Sequence, residues 1–91
     1  MATVHLPDSV QTEIQQIEEH IAHDSLDAAL AIMESLHQTC ASLENLPSRG
    51  AVYLDKYRRV FVGQYQIIYR VDMADVYILT VRHMRRKQPV L

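Results

Sequence analysis

The sequence predicts an α+β fold in which an N-terminal α-helical hairpin packs on a small antiparallel β-sheet. Three observations predict it. Apolar residues recur at steps of three and four up to about residue 46, and at steps of two beyond residue 56. The change of period falls across Leu46-Pro47-Ser48-Arg49-Gly50, the one clear loop. At 91 residues, with 48% hydrophobic and 22% charged content, the chain suits a single folded domain spanning 1–91 and not a disordered one.

In chain order, Ala2 to Leu6 is a short apolar-leaning stretch suited to an edge strand. Pro7-Asp8-Ser9 reads as a helix start, with Asp8 as cap and Gln11 at the reciprocal capping-box position. Val10, Ile14, Ile17 and Ile21 then mark one face of a helix of about 14 residues, leaving Glu13, Glu18, Glu19 and His20 to the wet side. His23-Asp24-Ser25 breaks the pattern and offers a second cap at Asp24 or Ser25. A second stripe follows, through Leu26, Leu30, Met33, Leu36 or His37, Cys40 and Leu43. Its helix runs to about Leu46, before Pro47. So short a link makes the two helices an antiparallel hairpin.

The second half is written in strands. Segments 57–62, 65–71 and 76–82 are rich in Val, Ile, Tyr and Phe. Gly63-Gln64 suits a two-residue type II′ turn, with Gly supplying the positive φ, and Asp72-Met73-Ala74-Asp75 joins the last two strands. The expectation is a three-stranded antiparallel meander, extended by the N-terminal segment. Pairing across the turns puts Val60, Ile67, Thr80, Arg58, Tyr69 and Ile78 on one face. Arg59, Ile68, Leu79, Arg70 and Tyr77 take the other, a partly covered groove lined by Arg and Tyr.

Charge divides along the same line. Residues 1–45 hold eight acidic residues and no Lys or Arg; residues 46–91 hold all nine Lys and Arg against three Asp. The halves carry −8 and +6, so the C-terminal half is suited to a polyanion or an acidic partner. Arg82, Arg85, Arg86 and Lys87 form the densest cluster. The start of the chain has neither a basic nor an apolar leader region, and no apolar run approaches the ~18 residues of a membrane span, so a soluble cytoplasmic protein with no membrane contact is expected. The lone Cys40 lies on an apolar stripe and reads as a small core residue. His20, His23 and Asp24 are at most half of a metal site and read as a solvated helix face; neither metal nor cofactor is expected.

The order of elements, with Tyr57-Arg58, the Y-x-I-x-Y-x-V strand at 65–71 and the V-x-I-L-x-V-x-H-x-R run at 76–85, resembles the RelE/ParE toxin superfamily of type II toxin–antitoxin systems, over roughly 4–87. The resemblance implies a toxin neutralised by a cognate antitoxin, which wraps it and alone carries the pair to operator DNA, with higher-order toxin–antitoxin oligomers possible. ParE-like members of such systems, including those that stabilise plasmids, inhibit DNA gyrase. RelE-like members are mRNA interferases that cut on the ribosome in stress responses. A third alternative is a non-toxic antitoxin-binding co-repressor.

The nuclease chemistry needs a base, an acid and cations about the scissile phosphate. RelE-like nucleases place an Arg after the tyrosine that opens the middle strand, where this chain has Gln66, and Lys on the preceding strand, where it has Arg58 and Val60. Their C-terminal Arg falls near Met84. On the nuclease reading Arg58, His83 and Arg85 would be catalytic. The incomplete cationic set and the V-x-H-x-R ending favour the ParE-like branch, with His83 structural. Arg59, Tyr65, Tyr69, Arg70, Arg82, Arg85, Arg86 and Lys87 would then grip a partner.

Overall fold

The computed structural model describes residues 1–85, and Arg86 and Lys87 lie outside them. The elements are β1 (Thr3–His5), α1 (Asp8–Ala22), α2 (Leu26–Ser42), β2 (Ala51–Tyr53), β3 (Tyr57–Val62), β4 (Tyr65–Asp72) and β5 (Asp75–His83). They form a five-stranded sheet of order β1-β5-β4-β3-β2, with the two helices packed on one face. The sheet is mixed, not purely antiparallel, because the N-terminal segment pairs parallel to β5 through Thr3↔Asp75, Val4↔Val76 and His5↔Tyr77.

The first helix begins as expected but without the expected cap. Pro7, at φ −63° and ψ 158°, is the cap residue, Asp8 is already helical, and no side chain caps the end. The Pro7 carbonyl accepts the first regular helical bond, from Gln11 N–H at 3.1 Å, and also takes the otherwise orphan Val10 N–H at 3.0 Å. Gln11 reaches back, but to the Leu6 carbonyl at 3.1 Å. Ser25 is the second cap, accepting from Ala28 N–H at 3.2 Å. Beyond Ser42, α2 tightens into i→i+3 bonds from Leu43, Glu44 and Asn45, which is why its periodicity carries on to Leu46.

The buried face of α2 runs through Ala29, Met33, Leu36, Cys40 and Leu43, whereas Leu26 and Leu30 are 63% and 52% exposed. With Ala29 fully buried, this phase turns the two leucines outward. The core joins Val10, Ile14, Leu36, Cys40 and Leu43 of the helical layer to Val60, Val62, Ile67, Tyr69, Val76, Ile78 and Val81 of the sheet. Full burial of a side chain such as Ile14 or Leu36 is worth about 1.5–3 kcal/mol.

Two features of the sheet escaped the sequence pattern. Strand β2 is three residues long and hydrogen-bonds at the edge of β3, through Ala51↔Arg59, Val52↔Arg58 and Tyr53↔Tyr57. A bulge opposite Ile68 and Tyr69 leaves Leu79 without a partner and shifts the rest of β5 by one. Val81 therefore faces Ile67 in the core, and Thr80, expected there, pairs with Ile68 on the other face. Gly63 does have positive φ, at +58°.

The loop between the halves is held by one buried side chain. Tyr69 Oη accepts from Gly50 N–H at 2.8 Å and donates to the Pro47 carbonyl at 2.8 Å. Gly50 sits so close that a Cβ there would lie 2.7 Å from the Arg59 carbonyl oxygen and 2.8 Å from that hydroxyl. No helix among the described residues is long and apolar enough to cross a membrane.

Candidate interaction surface

A cleft of about 790 Å³ opens between the helical hairpin and the C-terminal end of β5. Ile17, Ile21 and Ala28 from the helices and Tyr65 and Val81 from the sheet give it apolar walls. Its polar groups are Glu13, Gln16, His20 and Asp24 on the helical side and Arg82, His83 and Arg85 on the sheet side. Both signs of charge therefore enter one cleft, which falls within the 300–1,000 Å³ common for ligand sites. β1 pairs with β5 only as far as Tyr77, so the later part of that edge is left to the cleft.

Glu13 closes this edge. One carboxylate oxygen, Oε1, accepts from Val81 N–H at 3.2 Å, and Oε2 accepts from the Thr80 hydroxyl at 2.7 Å. The Thr80 oxygen in turn accepts from Arg82 Nε at 3.1 Å, and Glu13 Oε2 lies 3.9 Å from that nitrogen. Arg82 is thus held by its Nε, and no hydrogen bond among the described residues engages its two Nη atoms. A signal for Glu13 was present in the sequence. It lies three residues after Val10 and four before Ile17, at the margin of the apolar stripe, and at the head of a helix row that continues through Gln16, His20 and Asp24. Thr80 carried no comparable signal, because its position depends on the bulge.

His83 is held through both ring nitrogens. Nδ1 accepts from the Arg85 N–H at 3.1 Å, so the neutral ring carries its proton on Nε2, which donates to Gln64 Oε1 at 3.0 Å. Tyr65 meets the ring edge-on at 5.2 Å, and Met84 N–H donates to the Gln64 carbonyl at 2.8 Å. Together these contacts latch the end of β5 to the β3–β4 turn.

The sequence-predicted residues fall into separate groups. Tyr65, Arg82 and Arg85 share the cleft. Arg59 is directed away from the helices, stacked over Tyr53 at 4.6 Å and Phe61 at 5.3 Å; Arg82 belongs to the same sheet face by register and meets the cleft at the edge of β5. Arg70 lies on that face too, over Tyr77 at 4.7 Å, with His5 stacked on that ring and bonded to Asp75 Oδ1 at 2.8 Å. Tyr69 is wholly buried and is not available to a partner, since the loop occupies its hydroxyl.

The three residues of the nuclease reading are not assembled. Arg58 donates to the Gly50 carbonyl at 2.7 Å and pairs with Tyr69, whereas His83 pairs with Tyr65. Those partners stand four residues apart on β4, about 13 Å at ~3.3 Å per residue. Val60 is in the core and Gln66 is 1% exposed. Cys40 is buried in the helical layer, and desolvation pushes its thiol up from 9.0 to about 11. No group of three or more His, Cys, Asp or Glu that could hold a metal ion comes together among the described residues.

Comparison with known proteins adds the following. A family model described as the ParE toxin of the type II toxin–antitoxin system, parDE, matches residues 4–88. Among solved structures, a chain of the chromosomal ParDE toxin–antitoxin system from P. aeruginosa superposes with a TM-score of 0.77 at 15% identity, covering 91% of this chain and 96% of that one. No curated protein sequence matches the chain.

Proposed function

Because the chain belongs to the ParE toxin family of type II toxin–antitoxin systems, we propose that it arrests growth by binding DNA gyrase in the cytoplasm and is neutralised by a cognate antitoxin. The toxin reaches operator DNA only through that antitoxin, in complexes that can assemble further.

The observation that carries the binding reading over an mRNA-cutting one is the fate of the cation positions. Of the cation positions the resemblance calls for on the third and fourth strands, only Arg58 holds a cation, and it donates to the Gly50 carbonyl at 2.7 Å; the others hold Val60, in the core, and Gln66, 1% exposed. A phosphate in its transition state needs preorganised positive charge within contact distance, and neither Val60 nor Gln66 supplies it. His83, with both ring nitrogens engaged at 3.0 and 3.1 Å, has no lone pair directed at a substrate hydroxyl. The same contacts suit a rigid binding surface, in which Arg82, Arg85 and the exposed Met84 are presented from a latched strand end.

The test is controlled expression without the antitoxin. Filamentation and SOS induction, with gyrase-trapped DNA breaks in a purified reaction, are expected. Rapid loss of translation with codon-phased mRNA cuts would replace this reading with the nuclease one, and absence of any toxicity would leave only the co-repressor role.

A further inference from the structure

Arg82 is the arginine in the cleft whose guanidinium is fixed from behind. Thr80 accepts from its Nε at 3.1 Å, and Glu13 holds Thr80 at 2.7 Å while also anchoring the strand through Val81 N–H. A guanidinium held by Nε keeps its pair of Nη donors for a second group, and that pair matches the two oxygens of a carboxylate. The surroundings narrow the choice of anion. Glu13 and Asp24 stand in the cleft walls and repel a phosphate chain, charged at every residue, more than a peptide whose carboxylates are spaced to meet the arginines, while Ile17, Ile21, Ala28 and Val81 favour apolar side chains. We propose that the cleft receives an acidic peptide segment with apolar flanks, whose carboxylate is taken end-on by Arg82, with Thr80 and Glu13 as the residues that position it. The occupant is the antitoxin, so the assignment rests on the toxin–antitoxin reading above; Arg85, on the same wall, meets a second acidic side chain.

Thr80 and Glu13 act by preorganisation: without them Arg82 must order its own rotamers on binding, and selectivity falls with affinity. The β5 bulge is what brings Thr80 out of the core to do this.

The experiment uses the whole chain, isotope-labelled, and two blocked helical peptides as probes, one repeating Glu-Glu-Leu-Leu and one repeating Gln-Gln-Leu-Leu. The acidic peptide should bind at least ~10-fold more tightly than the neutral one, weaken with added salt and shift the Arg82 Nε–H resonance. Arg82→Gln should remove most of that preference, leaving only the part that Arg85 supplies. Thr80→Val should reduce it several-fold while the fold, read by far-UV circular dichroism, persists. Equal affinity for the two peptides, a preference intact in Arg82→Gln, or stronger binding of a single-stranded oligonucleotide in the cleft would each overturn the proposal. The two readings fail separately. A neighbouring antitoxin that reverses toxicity without any Glu-over-Gln preference sinks the cleft assignment alone. The full preference in a chain that is never toxic or neutralised upholds the carboxylate site and removes the antitoxin as its occupant.

Discussion

Tyr69→Phe removes one oxygen and tests how the two halves of the chain are joined. The hydroxyl accepts from Gly50 N–H and donates to the Pro47 carbonyl, both at 2.8 Å, and the ring itself is fully buried. Phenylalanine keeps the ring and its packing, so the change isolates the two hydrogen bonds. Stranding a buried N–H costs about 1–3 kcal/mol, and losing a neutral bond to a carbonyl about 0.5–1.5. The small depression beside Pro47 and Ser48 is open enough to admit water to the carbonyl, which favours the middle of that range. The expected loss is about 2–3 kcal/mol out of roughly 5–14 for a domain of this length, so the variant folds but melts about 10–20 °C lower.

Urea unfolding followed by circular dichroism measures this change. The midpoint should move and the slope should not, because the same surface is exposed on unfolding. Hydrogen exchange adds a local reading: the Gly50 amide should lose protection before its neighbours in β3. Tyr65→Phe, at a partly buried ring, is the control and should stay within about 0.5 kcal/mol of the parent. If Tyr69→Phe also stays within that margin, or if both variants fall equally, the hydroxyl is not what holds the loop.

Other expectations follow from the same geometry. Gly50→Ala puts a Cβ 2.7 Å from a backbone oxygen and should cost at least ~2 kcal/mol, combining less than additively with Tyr69→Phe in a thermal-melt cycle because both act on one contact. Gly63→Ala, facing open space apart from an Ile32 Cδ1 at 3.9 Å, should cost only the ~1–2 kcal/mol of a left-handed backbone. Met73 also has positive φ, +53°, and is 96% exposed, so Met73→Gly relieves that strain and should be neutral or stabilising by up to ~1 kcal/mol in the same melts. Burial raises the Cys40 thiol from 9.0 to about 11, so at pH 8 a thiol reagent should react roughly 100-fold more slowly with folded than with unfolded protein. The unfolded chain gives up this proton first, so the stabilisation is complete below pH ~9 and about 2–3 kcal/mol is lost as pH rises toward 11, checked by urea midpoints across that range.

How far the sequence could be read depended on whether a residue's place was set locally. Val10 and Ile14 identify the buried face of α1 because helical spacing alone puts them there. Leu26 and Leu30 mislead because α2 carries apolar residues on more than one face, and the buried phase runs through Ala29, whose small side chain gives little signal beside two leucines. The bulge at Leu79 is likewise invisible: a strand pattern fixes alternation but not an inserted residue, and one insertion moves Thr80 from the expected core to the edge of the cleft. Strand β2 is too short for any period to show. The charge split of the two halves pointed to the C-terminal half, but not to Glu13, the acidic residue of the first half that fixes an arginine of the second.

The pairing of β1 with β5 has a consequence for the order in which the molecule can be made. Thr3 and Asp75 are neighbours in space but 72 residues apart in the chain, and the strand between β1 and β4 in the sheet is the last to be synthesised. Helices α1 and α2 can coil as they emerge, since their contacts are local. Until β5 arrives, however, β4 has an unpaired flank, β1 has no partner, and neither the cleft nor its arginine clasp exists. The folded surface is therefore completed by β5, the last of the described strands, and by no earlier stage of synthesis.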